Sequence, residues 1–373
     1  MKLRELVRSL DWLLIGAALL LVMVGLAMLF SSTSAETLSS SRFVRQVFSL
    51  GVALVVGFLV VRLPYHNLSR YAGLLYGLGL AGLVAVFLTA QVIRGATSRL
   101  SVSDFQLQPS EFMKIAVVIF LAWVFSRDTV VRGRALIVSA AAVAIPAIFI
   151  LLEPDLGVAA MLVAVWVALL IFIGVRWYLV ASIGVLGAIG FLAGWFGLFA
   201  DYQKARLLVF LYPARDPLGA GYNIVQSIVA LGSGRLFGRG LGHGPQSQLQ
   251  FLPERHTDFV LASIGEELGF VGILVVVILY AIVLWRIALI ARTTRDQFGQ
   301  LLAVSVFLLM VIGFVVSAGM NMGLLPVTGI PLPLVSYGGS NLLSTFVLLA
   351  IVESVHVYSK WVQAPPTDIS QLT

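Results

Sequence analysis

Residues 12–31 read WLLIGAALLLVMVGLAMLFS, an uncharged apolar stretch as long as the roughly 20 residues that a helix needs to cross a bilayer. Nine further stretches along the chain are apolar over a similar length, although some of them contain a few charged residues. Together they predict ten transmembrane helices, at residues 12–31, 44–62, 71–92, 110–126, 135–152, 156–174, 178–199, 259–285, 300–319 and 338–358. The sequence therefore predicts an all-α integral membrane protein, with residues 1–373 forming one polytopic membrane domain.

The composition supports this class and excludes several others. Apolar residues make up 60% of the chain and charged residues 11%, whereas about a quarter of the residues of a soluble protein are charged. The chain has no cysteine, which excludes disulfides, thiolate catalysis and thiol-ligated zinc. The net charge of +7 does not indicate a nucleic-acid partner, because the basic residues are dispersed among the connections between spans.

The distribution of lysine and arginine predicts the orientation. The ends that face the same side as the N-terminus carry Lys2, Arg4, Arg8, Arg62, Arg70, Arg127, Arg132, Arg134, Arg176, Arg286, Arg292, Arg295 and Lys360. The short connections on the other side carry only Arg42, Arg45, Arg94 and Arg99. Because cytoplasmic loops are enriched in these residues, both termini are predicted to be cytoplasmic.

The connection between spans seven and eight, residues 200–258, is much longer than the others and is rich in glycine and arginine. It is predicted to be a large extracellular loop that contains short or re-entrant helices. Residues 224–231 are apolar apart from Gln226 and Ser227, which is typical of a short amphipathic helix at the membrane interface. In a membrane protein of this size, such a loop is the expected place for chemistry.

Asp258 lies where this loop enters the eighth span, directly after Arg255, His256 and Thr257. Two interpretations are open. Asp258 or Thr257 caps the helix, since both residue types are favoured N-caps. Alternatively, Asp258 is a general base, and Arg255 and His256 bind an anionic substrate or adjust the pKa of Asp258.

Other carboxylates are secondary candidates. Glu266 and Glu267 lie within the eighth apolar span, and the spacing of eight residues predicts that Glu266 shares a helix face with Asp258. Glu153 and Asp155 flank Pro154 in a tight corner between spans five and six. This pair is compatible with a cation site or an acid–base pair, whereas capping and turn formation are the simpler functions.

Glu111 and Lys114 lie three residues apart in the fourth span, so they share a helix face and can pair. A structural ion pair and a substrate-binding site are both open interpretations, because a charge within the membrane is costly and often functional. The glycine run at residues 232–244 contains Ser233, Arg235 and Arg239. It lacks the strand and the Gly-Lys-Ser/Thr ending of a nucleotide-binding loop, so it indicates either a pyrophosphate-binding loop or a surface loop.

Prolines and glycines interrupt the apolar sequence at residues 321–341, where Ser336 lies. Irregular backbone at membrane depth survives only where it is buried in protein or lines a watery cavity. This segment is therefore predicted to form part of a cavity wall near the outer surface.

Six of these motifs resemble the SEDS family (shape, elongation, division and sporulation). They are VTGIPLP at 327–333, SYGGS at 336–340, FLPERHTDF at 251–259, GEELG at 265–269, QPSE at 108–111 and EPDLG at 153–157. The sequences LPERH at 252–256 and GIPLP at 329–333 resemble the elongation members more than the division members.

The resemblance implies a ten-helix peptidoglycan glycosyltransferase of the bacterial cytoplasmic (inner) membrane, with its active site on the extracytoplasmic side. The implied substrate is lipid II, the undecaprenyl-pyrophosphate-linked disaccharide-pentapeptide, which is polymerised into glycan strands during cell elongation and shape maintenance. The implied partners are a class B penicillin-binding protein (a transpeptidase) and the membrane proteins of the elongation complex. The family's essential aspartate corresponds to Asp258, and its glutamate–lysine pair corresponds to Glu111 and Lys114.

On this hypothesis Asp258 is the general base, and Arg235, Arg239 and Arg255 stabilise the pyrophosphate as it leaves. The sequence requires no cofactor, although a divalent cation would be compatible with the chemistry. Two other functions remain open: a lipid II flippase, because broken helices and intramembrane charges also suit a transport path, and a non-catalytic scaffold for the transpeptidase.

Overall fold

The computed structural model describes residues 3–32, 42–92, 100–102, 105–127, 133–153, 155–198, 204, 208–210, 212, 220–249, 251–252 and 254–363. Ten of its helices are long and apolar enough to cross a membrane, so the prediction of ten spans is confirmed. Helices form at these positions because a backbone surrounded by lipid must satisfy its hydrogen bonds internally. Residues 200–203 and most of residues 205–219, which belong to the predicted loop, lie outside the described residues, as does Pro154.

The ten spans have the following bounds: α2 Trp12–Ser32, α3 Arg42–Arg62, α4 His66–Val92, α5 Pro109–Ser126, α6 Gly133–Leu152, α7 Leu156–Ile173, α8 Trp177–Ala193, α11 Val260–Thr293, α12 Gln297–Asn321 and α13 Gly339–Gln363. Three shorter helices are α1 Leu3–Ser9, α9 Ala220–Ser233 and α10 Pro245–Gln248. A π-helical turn, Gly194–Leu198, continues α8.

The largest difference from the predicted bounds is in the eighth span. The sequence predicts residues 259–285, whereas α11 continues to Thr293 and is interrupted at Gly269, whose φ of 69° and ψ of −164° are not helical. The ninth span, predicted at 300–319, begins at Gln297, where Asp296 caps the helix by accepting a hydrogen bond from Gly299 N. Hydropathy does not detect such caps, because the residues around them are polar.

A short hairpin precedes α5, and the sequence does not predict it. The strands β1, Leu100–Val102, and β2, Phe105–Leu107, pair antiparallel. The hairpin places Gln108 directly before α5, and the Gln108 backbone N–H donates to Ser340 Oγ over 3.1 Å. It therefore joins the start of α5 to the start of α13.

The core of the bundle is formed by α5, α12 and α13, and 72% of the residues in the spanning windows of α5 and α13 are buried. In contrast, α8 has no buried residue. Contacts of Thr328 with Gly157, and of Asn321, Ser336 and Tyr337 with the turn at residues 254–259, bring the start of α7, this turn and residues 322–338 together at one end of the bundle. This end is here called the loop end. The opposite end has its own polar contact, in which Arg286 Nε donates to Asp11 Oδ2 over 2.7 Å.

Candidate active site

Asp258 lies in a turn formed by residues 254–259, here called the Asp258 turn. The backbone N–H groups of Thr257, Asp258 and Phe259 all donate to the Glu254 carbonyl, over 3.3, 3.1 and 3.1 Å. The helix α11 begins at Val260, and its N-cap is Phe259. Neither Thr257 nor Asp258 is the N-cap residue, although the sequence left that position open for both. Helix capping therefore does not explain the presence of Asp258.

Three successive carbonyl oxygens of the turn are held by residues that flank the break between α12 and α13. The bonds are Asn321 Nδ2 to Asp258 O (2.8 Å), Ser336 Oγ to Thr257 O (2.5 Å) and Tyr337 N to His256 O (2.8 Å). Ser336 is itself held, because its Oγ accepts from Leu332 N over 2.9 Å. The turn is thus fixed by contacts from two chain segments that are distant in sequence.

Asn321 is a functional candidate that the sequence analysis missed. It is fully buried at the last residue of α12. Its Nδ2 donates to Asp258 O and Ser317 O, and its Oδ1 accepts from Ala262 N over 2.9 Å. A lone amide at the loop end of an apolar helix is the signal that would have identified it, since a buried amide needs several hydrogen-bond partners.

The Asp258 carboxylate faces the irregular segment at residues 322–338. A Cβ built on Gly329, which has a φ of 75°, would lie 3.7 Å from Asp258 Oδ2. The neighbouring Thr328 carbonyl lies against Gly157 in the first turn of α7, where any side chain would overlap it. The segment therefore contacts both Asp258 and the corner that contains Asp155.

Arg255 and His256 line a small cavity of about 10 Å³, which is room for about one water molecule, together with Gln46, Ser263, Glu267 and Tyr337 and apolar residues of α2. Arg255 is buried, and its guanidinium donates to the Ser247 carbonyl and, through Nε, to His256 Nε2 over 3.2 Å. Burial, followed by the charges of Arg255 and Arg42, lowers the pKa of His256 to about 3. His256 is therefore a neutral imidazole at neutral pH, and Arg255 supplies the positive charge of this cavity.

Glu111 and Lys114 form a buried ion pair in α5. Lys114 Nζ lies 2.8 Å from Glu111 Oε2, and Ser344 Oγ donates to the same oxygen over 2.9 Å. The pairing expected from their spacing is present. Because Ser344 lies on α13, the pair also connects two central helices of the bundle.

Removing one partner of this pair is expected to reduce the stability of the protein more than removing both partners. Glu111→Gln or Lys114→Met leaves one uncompensated buried charge, which typically costs about 3–5 kcal/mol of stability. The double variant should lose less stability than either single variant, because no buried charge remains unpaired. Chemical unfolding in detergent would measure the three values, and additive losses would contradict the interpretation.

The corner between α6 and α7 contains two carboxylates with different environments. Asp155 caps α7, because its Oδ1 accepts from Val158 N over 3.0 Å, and its Oδ2 accepts from Gln108 Nε2 over 3.3 Å. Capping, the simpler function considered for Asp155, is therefore present. Glu153 is only 7% exposed, and neither of its carboxylate oxygens has a hydrogen-bond partner among the described residues. Burial and the nearby Asp155 raise the pKa of Glu153 to about 7.

Glu153→Gln should therefore stabilise the protein in a pH-dependent way. The folded state keeps Glu153 protonated up to about pH 7, whereas an unperturbed glutamate ionises near 4.5. The wild type thus loses stability as the pH rises from 4.5 to 7, and the glutamine variant avoids this loss. We expect a gain of roughly 1–3 kcal/mol at pH 8 that vanishes at pH 4.5. Unfolding midpoints in detergent across this range would test it, with Glu254→Gln as an exposed control; an equal gain at every pH would contradict it.

Glu266 and Glu267 organise the loop. Glu266 accepts hydrogen bonds from Gln246 N (2.8 Å), Ser247 N (2.9 Å) and Ser247 Oγ (2.6 Å). Glu267 Oε2 accepts from Ser31 Oγ (2.6 Å) and Gly242 N (3.1 Å). The helical spacing that predicted a shared face for Glu266 and Asp258 does not apply, because Asp258 precedes α11.

The glycine run is docked onto the interruption of α11. Arg239 N and Gly240 N donate to Glu266 O and Glu267 O, each over 3.0 Å. In the other direction, Phe270 N and Val271 N donate to Arg235 O (2.9 Å) and Leu236 O (3.0 Å). These four bonds replace helical bonds that the break at Gly269 removes. The backbone groups of the glycine run that form them therefore stabilise the broken helix.

The remaining predicted site residues lie on or near α9. Ser227 is fully buried, and its Oγ donates to Asn321 O over 2.7 Å, whereas Gln226 is half-buried. Ser233 Oγ donates to Ala230 O over 2.9 Å. The Arg235 and Arg239 side chains are exposed beside the Gly269 break. Val260 and Gly269 are nine positions apart, which corresponds to about 14 Å of helix, so the structure does not bring these arginines together with Asp258.

Within the described ranges, no three histidine, aspartate or glutamate side chains form a group that could hold a metal ion. A divalent cation stays a prediction.

Comparisons with known proteins agree over nearly the whole chain. The model of the FtsW/RodA/SpoVE family, described as a cell cycle protein, matches residues 11–361. The peptidoglycan glycosyltransferase MrdB of Escherichia coli K12 is 37% identical over 347 residues, which are 92% of each chain. Stage V sporulation protein E of Bacillus subtilis 168 is 35% identical and covers 94% of this chain and 98% of its own.

Solved structures are similar in fold as well. One, a chain from a study of how a peptidoglycan synthase complex coordinates polymerization and crosslinking, superposes with a TM-score of 0.80 at 29% identity and covers 94% of this chain and 98% of that chain. Another, the crystal structure of the Thermus thermophilus rod shape determining protein RodA, superposes with a TM-score of 0.68 at 27% identity and covers 93% and 96%.

Proposed function

The chain belongs to the FtsW/RodA/SpoVE family of cell cycle proteins, and from this premise we propose how it works as a peptidoglycan glycosyltransferase. It polymerises lipid II into glycan strands for cell elongation. The observation that carries this function is the similarity to the glycosyltransferase MrdB over 92% of both chains. The apolar segments of all ten spans of this chain lie within residues 11–361, which the family model matches.

We assign the general base to Asp258. The 4-hydroxyl of the acceptor sugar attacks the anomeric carbon of the donor, a new glycosidic bond forms, and the bond from that carbon to the pyrophosphate oxygen breaks. The hydroxyl proton passes to the Asp258 carboxylate, and undecaprenyl pyrophosphate leaves. The half-buried carboxylate on a fixed turn supports this assignment, because a base must be held within hydrogen-bond reach of the proton it takes.

Arg255 is the cation that we assign to the leaving pyrophosphate. It directly precedes His256, whose carbonyl oxygen accepts from Tyr337 N, it lies three positions before Asp258, and it lines the cavity beside the turn. A preorganised guanidinium in a partly buried site stabilises developing negative charge more strongly than one in water. The neutral His256 accepts the Arg255 Nε–H bond and orients the guanidinium, while Glu111 and Lys114 shape the interior of the bundle.

We place both termini in the cytoplasm and the loop end outside the cell. Ten spans put the two termini on the same side, and the excess of lysine and arginine at those ends supports the cytoplasmic assignment. The polymerase acts with a class B penicillin-binding transpeptidase, since a similar chain occurs in a complex that coordinates polymerization and crosslinking.

A reconstituted reaction tests the function. The purified protein with its transpeptidase partner is supplied with lipid II, and the products are separated on a gel. Long glycan strands are expected. If lipid II crosses the vesicle membrane without being polymerised, the function is transport. If lipid II is unchanged on both sides of the vesicle membrane while crosslinking by the transpeptidase improves, the function is that of a scaffold.

A further inference from the structure

The turn at residues 235–239, here called the loop tip, has the sequence Arg-Leu-Phe-Gly-Arg and an unusual surface. Phe237 is 80% exposed and Leu236 is 61% exposed, and both flanking arginines are exposed as well. Large apolar side chains in such a position require an explanation, because water-exposed apolar surface is costly when it is contiguous.

The loop tip is firmly attached to α11. The Arg235 and Leu236 carbonyls accept from the N–H groups of Phe270 and Val271, and Arg239 N donates to Glu266 O. Gly238 lies against the Glu267 carbonyl so closely that a side chain there would overlap it. The exposure of Phe237 is therefore imposed by the backbone, and the tip cannot fold its apolar side chains inward without breaking these bonds.

The length of α11 indicates the depth of the tip. The part after the break, residues 270–293, has 24 residues and is about 36 Å long, slightly more than the roughly 30 Å hydrocarbon core of a bilayer. The break at Gly269 therefore lies close to the membrane–water interface. Because the tip is bonded to the first two residues after the break, it lies at the same level.

The helices next to the loop tip also expose apolar side chains. Directly below it, Phe270, Val271 and Leu274 of α11 are exposed. On the side of the preceding helix, α9 presents Val225, Ile228 and Val229, which are also exposed. The tip follows α9 in the chain and is bonded to α11, so it connects these two exposed apolar surfaces, and Arg235 and Arg239 are the only cationic residues among those named.

We propose that the loop tip is a membrane anchor, in which Leu236 and Phe237 enter the interface of the leaflet at the loop end while Arg235 and Arg239 bind phospholipid phosphates. Guanidinium groups pair with phosphate oxygens through two parallel hydrogen bonds, and the side chains of Phe and Leu enter the boundary between headgroups and acyl chains. The occupant of this surface is the bilayer itself. The anchor holds the break in α11 at a fixed depth, and with it the helical segment that connects the break to the Asp258 turn.

The absence of cysteine from the chain makes the test direct. Single variants Phe237→Cys, Glu254→Cys and Leu274→Cys carry a spin label in vesicles of phosphatidylethanolamine and phosphatidylglycerol. Relative accessibility to oxygen and to a water-soluble nickel complex then measures depth. Glu254 is the aqueous reference and Leu274 the hydrocarbon reference. We expect position 237 to lie between them, with an oxygen-to-nickel ratio several-fold above that of position 254.

A second set of variants tests the arginines. Arg235→Gln with Arg239→Gln should move the label at position 237 toward water, whereas Arg292→Gln with Arg295→Gln, at the opposite end, should not. A ratio at position 237 equal to that at position 254 would overturn the proposal, as would protection from both reagents, which indicates a protein contact. Insertion that occurs only after a polyprenyl pyrophosphate lipid is added would assign the tip to the substrate instead.

Discussion

Replacing Asp258 with asparagine is expected to reduce lipid II polymerisation by about 10²–10⁴-fold, the range that general base catalysis typically contributes. Asparagine keeps the shape of the side chain but cannot accept the acceptor's proton. The Asp258 backbone bonds, to Asn321 Nδ2 and Glu254 O, do not involve the carboxylate, so the turn should remain folded. The gel assay with the transpeptidase partner measures the loss.

The matched control is Glu254→Gln. Glu254 is a carboxylate of the same turn, but its exposed side chain accepts only the Thr257 hydroxyl in the bonds described, over 3.0 Å. This variant should retain polymerisation within a few-fold. Unfolding midpoints and binding of the partner must be unchanged in both variants. If a correctly folded Asp258→Asn protein polymerises at the wild-type rate, the base is another group.

Gly269→Val is expected to have the largest effect on folding. A φ of 69° with a ψ of −164° is accessible almost only to glycine. A Cβ at this position would lie 2.6 Å from the Leu236 carbonyl oxygen and closer still to Gly238 N. The strain, together with loss of the bonds between the tip and α11, should destabilise the protein by at least about 3 kcal/mol. Thermal unfolding in detergent and the yield of monodisperse protein measure the effect.

Gly232→Ala is the corresponding control. Gly232 lies in the helix α9, and a Cβ there would meet no described atom within 4 Å. Alanine should be neutral or stabilise the helix by up to about 1 kcal/mol. Wild-type stability of the Gly269→Val protein would mean that the break is not required by the fold.

The sequence predicts the parts of the fold that depend on local composition. The ten spans follow from apolar stretches of membrane length, as at residues 12–31, and the helical i, i+3 spacing brings Glu111 and Lys114 together. The preference of aspartate for N-cap positions identifies Asp155. Each of these properties is encoded within a few neighbouring residues.

The remaining features depend on contacts between distant segments. The Asp258 turn is defined by Asn321, Ser336 and Tyr337, which lie 63 or more positions away in the chain. The glycine run looks flexible by composition, but its bonds to the broken α11 give it a fixed shape. Hydropathy did not reveal the break, because Gly269 lies between apolar neighbours and one glycine hardly changes the average.

The three bonds that hold the Asp258 turn also indicate how the enzyme can be inhibited. The turn has its geometry only while residues 321, 336 and 337 remain in contact with its carbonyl oxygens. A compound that wedges between these two segments would displace the carboxylate, and a displacement of about 1 Å can cost a factor of 10² in rate. Such a compound would need no resemblance to a sugar or a pyrophosphate, and a higher concentration of lipid II would not relieve its effect.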